Sequence, residues 1–141
     1  MRIMALDIGE KRVGVALSDE MGWTAGGLSV IDRKPHADFL ANIKALVEKH
    51  QVERVVLGLP RRMDGTLGPE AHRVLSLVKE LERIDLKVET WDERLSTVAV
   101  ERVLVQADMS RRKRKQVIDK VAATYILQGY LDYLSSKPSG E

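Results

Sequence analysis

The first eighteen residues hold two short apolar runs, 2–7 and 12–18, separated by Ile8-Gly9-Glu10-Lys11. A glycine-bearing connection of that length predicts a β-hairpin. Residues 27–32 predict a third strand, after a Gly-rich turn at Thr24-Ala25-Gly26-Gly27. The period then changes. From Pro35 to Lys49, apolar Phe39, Ile43, Leu46 and Val47 recur at helical spacing, with Pro35 suited to a first helical turn. The continuous apolar run Arg54-Val55-Val56-Leu57-Gly58-Leu59-Pro60 predicts a buried strand. Val74, Leu77, Val78 and Leu81 predict a second helix, Leu86 to Trp91 a fifth strand, and residues 96–107 and 118–134 two further helices.

The resulting order, β-β-β-α-β-α-β-α-α, begins antiparallel and continues with strands joined through helices, hence parallel. It predicts an α/β fold: a five-stranded mixed β-sheet, its first three strands antiparallel, flanked by α-helices. A chain of 141 residues with 44% hydrophobic content is long enough to bury one core. No repeat or linker divides it, so a single domain is expected over 1–134, followed by a polar, disordered tail over 135–141.

Charge sharpens this picture locally. The formal net charge is only +2, yet Arg111-Arg112-Lys113-Arg114-Lys115 are consecutive cations, so the rest of the chain is net acidic. A polyanion such as nucleic acid would be gripped at a patch; the plainer reading of such a run is a solvated segment. The absence of cysteine excludes disulfides, thiolate metal sites and cysteine nucleophiles. His36, His50 and His72 fall at unrelated spacings. No apolar stretch is long enough for a bilayer, and Arg2 and Asp7 interrupt the amino terminus too early for a signal peptide, so a cytoplasmic protein without a membrane partner is expected.

In open α/β sheets, ligands bind beyond the carboxyl ends of parallel strands. Asp7 closes the first strand, Pro60-Arg61-Arg62-Met63-Asp64-Gly65 follows the fourth, and Asp92-Glu93-Arg94 follow the fifth. If those strands are neighbours, all three segments meet at one edge. Alone, Asp7 could simply form a turn, Glu93 and Arg94 a solvated pair, and Asp119 a helix cap. Yet 119, 122, 123, 126 and 130 share one helical face, and Ala122 and Ala123 would let that helix approach the sheet closely. Converging Asp7, Glu93 and Asp119 would repel one another unless a cation lay between them. An all-oxygen donor set suits Mg²⁺ or Mn²⁺, and a two-metal site would serve phosphodiester hydrolysis.

These motifs together, Asp7-Ile8-Gly9 with Arg12-Val13-Gly14-Val15-Ala16, Gly58-Leu59-Pro60 with Met63-Asp64-Gly65, Asp92-Glu93-Arg94-Leu95-Ser96-Thr97, and Ile118-Asp119 with Ala122-Ala123 and Ile126-Leu127-Gln128, span nearly the whole chain. In this order they resemble the YqgF/RuvX family. The resemblance implies an RNase H-like fold related to the RuvC Holliday-junction resolvases, a bacterial cytoplasmic protein, and a nuclease for the 5′ end of pre-16S ribosomal RNA. It implies catalytic, metal-binding acids at Asp7, Glu93 and Asp119. Where the family usually has Asn before Met-Asp-Gly, this chain has Arg62. Arg61, Arg62 and Arg111 to Lys115 are the expected phosphate contacts.

The leading expectation is therefore a metal-dependent nuclease, monomeric or homodimeric, acting on pre-ribosomal RNA. The nearest alternative is the same chemistry on branched DNA in recombination or repair, for which junction symmetry would favour a dimer. A non-catalytic RNA-binding assembly factor would gain nothing from three acids beside its groove. An actin-like ATP module would need a second nucleotide-clasping domain, for which the chain is too short.

Overall fold

The computed structural model describes residues 2–92 and 120–136 in full, and residues 111–119 as backbone. Its elements, in order, are β1 (Arg2–Ile8), β2 (Arg12–Ser18), β3 (Ala25–Asp32), α1 (His36–Lys49), β4 (Val52–Leu59), α2 (Pro69–Arg83), β5 (Val88–Asp92) and α3 (Arg111–Ser136). The strands form one sheet in the order β3-β2-β1-β4-β5. β1 pairs antiparallel with β2, and β2 with β3, whereas β1, β4 and β5 run parallel. The expected strand directions are thus met. The helix expected over 96–107 lies outside the described residues.

Alternation along the strands sends side chains to two different cores. Met4, Leu6, Val13, Val15, Val55 and Leu57 pack with Phe39 and Ile43 of α1 and Val74, Leu77 and Leu81 of α2. On the other face Ile3, Ala5, Ala16 and Val56 pack with Ala123, Ile126, Leu127, Tyr130 and Leu131 of α3. Having helices on both faces explains why β1 and β4 read as unbroken apolar runs instead of alternating ones.

Small residues set how closely α3 lies. The position a Cβ would take at Gly27 in β3 is 3.5 Å from Lys120 Cβ and 3.6 Å from Thr124 Oγ1. Farther along the helix, the Ala25 N–H donates to Gln128 Oε1 (3.1 Å) and Gln128 Nε2 donates to the Trp23 carbonyl (3.2 Å). Tyr130 donates to Glu89, accepts from Arg54 Nη1 (2.6 Å), and so ties the helix to β4 and β5. Trp91 packs edge-on against Tyr130, with ring centroids 5.8 Å apart.

Two sequence expectations shift. The Gly-rich stretch at 24–27 is mostly strand, not turn; the chain reverses earlier, at 19–24. There Asp19 Oδ1 accepts the N–H groups of Trp23 (2.7 Å) and Thr24 (3.2 Å), and Gly22 adopts φ 72°. Those backbone donors, Thr24 first, hold the Asp19 carboxyl below its ordinary pKa. The last helix begins at Arg111, not near 118, and continues to Ser136. Arg and Lys are good helix formers but carry no apolar period, so periodicity could find the helix only where its buried stripe starts.

Candidate functional site

Asp7 sits at the carboxyl end of β1, opposite Gly14 of β2. It shares strand parity with Ile3 and Ala5, whose side chains lie in the core beneath α3, and is itself only partly buried. The sheet's α3 face therefore carries an acid where its apolar residues end. The turn that follows is tightly built. The Gly9 N–H donates to the Arg12 carbonyl (2.9 Å), and a Cβ on Gly9 would fall 2.6 Å from that same oxygen. Arg33, just after β3, donates from Nη1 to the Gly9 carbonyl (3.1 Å), and its own N–H bonds the Lys11 carbonyl (3.0 Å). No sequence pattern signals this support from Arg33, because its partner is a backbone atom 24 residues away.

The parallel pairing of β1 with β4 and of β4 with β5 brings the loop after β4 and the end of β5 to the same edge as Asp7. In that loop the Asp64 carboxylate accepts from Thr66 Oγ1 (2.7 Å) and the Thr66 N–H (2.9 Å), which lower its pKa in that order. Arg61 donates to the Gly65 carbonyl (3.2 Å), and its Nε lies 3.8 Å from Asp92 Oδ2, joining the loop to the last residue of β5. Arg62 is exposed, with guanidinium nitrogens 3.3–3.4 Å from where a Cβ on Gly68 would stand.

The other expected site residues are reached only in part. Glu93 lies outside the described residues, immediately after Asp92. Asp119 lies within α3, one helical turn before the buried Ala123. The helix start at Arg111 rules out a capping role for Asp119, which is two turns inside. Arg111 to Lys115 form the first turns of α3, not a segment ahead of it; their side chains, like that of Asp119, lie outside the described residues. Lys120 lies against Gly27 and Gln128 against Ala25. Because Gly27 stands nearer than Ala25 to the edge that holds Asp7, α3 points its amino-terminal half towards that edge.

Among the described residues, no group of three His, Asp or Glu side chains could hold a metal ion. Asp7 presents a carboxylate, a hard oxygen group, at a partly buried position at the end of β1. No helix among the described residues is long and apolar enough to cross a membrane.

The chain as a whole is similar to known proteins. A protein of Moorella thermoacetica named "Putative pre-16S rRNA nuclease" is 58% identical over 135 residues, covering 95% of this chain and 96% of that protein. A protein of the same name from Desulforamulus reducens is 53% identical over 133 residues, covering 94% and 97%. Among solved structures, Thermus thermophilus RuvC in complex with a Holliday junction substrate aligns with TM-score 0.56 at 15% identity, over 96% of this chain and 97% of that one. The fowlpox virus resolvase bound to Holliday junction DNA aligns with TM-score 0.55 at 12% identity, over 95% and 99%. At such identities the likeness concerns the fold, which is the RNase H-like fold of the RuvC-type resolvases. The family model described as "RuvX: Holliday junction resolvase" matches residues 1–133, and the chain belongs to that family.

Proposed function

We propose that the protein is a cytoplasmic, divalent-metal-dependent nuclease that hydrolyses phosphodiester bonds in structured RNA, with the 5′ end of pre-16S ribosomal RNA as its substrate. The observation that carries this reading is Asp7: an acid at the carboxyl end of a central parallel strand, on the face covered by α3, with α3's amino-terminal half directed to the same edge. The names borne by relatives more than half identical over nearly the whole chain support the substrate.

In this reading Asp7, Glu93 and Asp119 converge to hold one or two Mg²⁺ or Mn²⁺ ions. When bound, such ions supply an activated water and charge neutralisation at the leaving oxygen. The chain's own part is positioning. The Gly9 turn and Arg33 fix the end of β1, the small residues under α3 bring Asp119 close to the sheet, and the Arg61–Asp92 contact steadies the segment that leads to Glu93. Arg61, Arg62 and Arg111 to Lys115 hold backbone phosphates, as a monomer or a homodimer.

The test is cleavage of a pre-16S 5′-leader RNA and a matched DNA four-way junction in Mg²⁺ or Mn²⁺ by the wild type and by Asp7→Asn and Asp119→Asn. RNA cleavage abolished in both variants is expected; wild-type activity in either would sink the assignment. The second reading, a junction resolvase, is favoured by the family's description and the RuvC-type fold, and faster cleavage of the junction than of the RNA would select it.

A further inference from the structure

The loop after β4 and the first turn of α2 enclose a cleft of about 330 Å³, lined by Pro60, Arg61, Arg62, Glu70 and Arg73 among others. It opens on the α2 side of the sheet edge, opposite the face on which Asp7 lies. Three guanidinium groups face it against a single carboxylate. Arg61 is engaged by Asp92 and the Gly65 carbonyl. Arg62 and Arg73, both exposed, make no ion pair or side-chain hydrogen bond among the described residues. With Arg61 engaged elsewhere, Arg62 and Arg73 face Glu70 alone, which leaves the cleft net positive and suited to an anion. Their planar forks match the oxygens of a phosphate. Gly68 supplies the room, since a Cβ there would meet the Arg62 guanidinium at 3.3–3.4 Å.

A second cavity of about 300 Å³, lined by Ile8, Gly9, Glu10, Arg33, Glu70 and Arg73, shares Glu70 and Arg73 with the first. It joins the cleft to the turn that follows Asp7. It sets two arginines, Arg33 and Arg73, beside two carboxylates, Glu10 and Glu70, whereas the first cleft sets three arginines beside Glu70 alone.

We infer that the Arg62–Arg73 cleft is a phosphate-binding subsite, which receives one backbone phosphate of the nucleic-acid strand as that strand passes over the sheet edge from the Asp7 site. The inference rests on the nuclease reading for the identity of its ligand. It adds Arg73 and Gly68 to the binding surface, residues that neither composition nor the basic run singles out.

Fluorescence anisotropy with a labelled RNA stem carrying a single-stranded 5′ extension, in EDTA to prevent turnover, reads the subsite over a range of KCl concentrations. Arg62→Gln/Arg73→Gln is expected to weaken binding about tenfold and to reduce the slope of log K against log salt by about one unit, the effect of one phosphate no longer held. Arg83→Gln, which removes one charge from the other end of the same helix, is expected to leave the slope unchanged. Gly68→Ala keeps every charge but fills the space, and is expected to weaken binding in the same direction. An unchanged slope in the double variant, or an equal weakening in Arg83→Gln, would overturn the proposal. So would binding of inorganic phosphate or a mononucleotide as tight as that of RNA, which would assign the cleft to a small free anion. Cleavage surviving in Asp7→Asn sinks the catalytic reading alone, since the salt slope is taken without turnover.

Discussion

Replacing Gly9 by alanine adds one methyl group to the turn that follows Asp7, where backbone leaves no room for it. A Cβ there would stand 2.6 Å from the Arg12 carbonyl oxygen. That oxygen is backbone, and it already accepts the Gly9 N–H at 2.9 Å. Relief requires the turn to open, which breaks that hydrogen bond, about 1 kcal/mol, and adds strain of about 1–3 kcal/mol. A destabilisation of about 3 kcal/mol would lower Tm by roughly 10 °C in a domain of this size. The functional effect is expected to be larger than the global one, because the Arg33 contact to the Gly9 carbonyl shifts with the turn. A displacement of about 1 Å at a reacting group can cost on the order of a hundredfold in rate. Gly26→Ala is the matched control: nothing lies within 4 Å of the added carbon, and Tm and rate should stay near wild type. Calorimetry with single-turnover cleavage kinetics reads both quantities. Gly9→Ala within about 2 °C of the wild-type Tm and within about twofold of its rate would refute the steric reasoning.

Three further outcomes rest on other parts of the fold. Ser18 Oγ accepts the Ile3 N–H and donates to the Asp19 carbonyl, both at 2.9 Å, and the residue is buried; Ser18→Ala orphans a buried donor and should cost about 1–3 kcal/mol in urea unfolding. Burial first, then the hydrogen bond to Glu89, holds the Tyr130 phenol above its ordinary value of 10.0. The native state therefore keeps a proton that the unfolded chain gives up, so this contribution is present below about pH 10 and fades as pH rises through the higher native value; Tyr130→Phe should lower Tm at neutral pH and flatten the alkaline decline, and an identical decline would contradict the assignment. Replacing several of Arg111 to Lys115 with Gln should weaken RNA binding and reduce its salt slope by about one unit for each phosphate the variant no longer holds, while an unchanged slope would return the run to a solvated helical face.

The sheet was legible because its strands are apolar in two distinct ways. β1 and β4 are continuous because both faces are covered, and the β1–β2 turn is marked by a glycine whose missing Cβ the Arg12 carbonyl requires. Asp7 was legible for the same reason, as the first charge at the end of a buried run. What sequence hid lies in contacts between distant residues or in stretches without period. Gly26 and Gly27 resemble a turn, yet Gly27 makes room for α3, a packing reason that turn statistics do not contain. Asp119 reads as a cap only if the helix begins beside it, and the cationic run conceals two earlier turns. Arg73 looks like any exposed charge on an amphipathic helix; only the fold sets it across a cleft from Arg62.

The central claim, that Asp7 and Asp119 share a divalent cation at the carboxyl edge of the sheet, is tested most directly by paramagnetic line broadening in the ¹⁵N-labelled protein. On titration with Mn²⁺, the amide signals of Asp7, Ile8, Asp119 and Lys120 should broaden together at substoichiometric metal, with the Glu93 signal among them. Asp7→Asn, still folded, should abolish that broadening at the same concentration. Broadening centred elsewhere, or a pattern that Asp7→Asn leaves intact, would contradict the account.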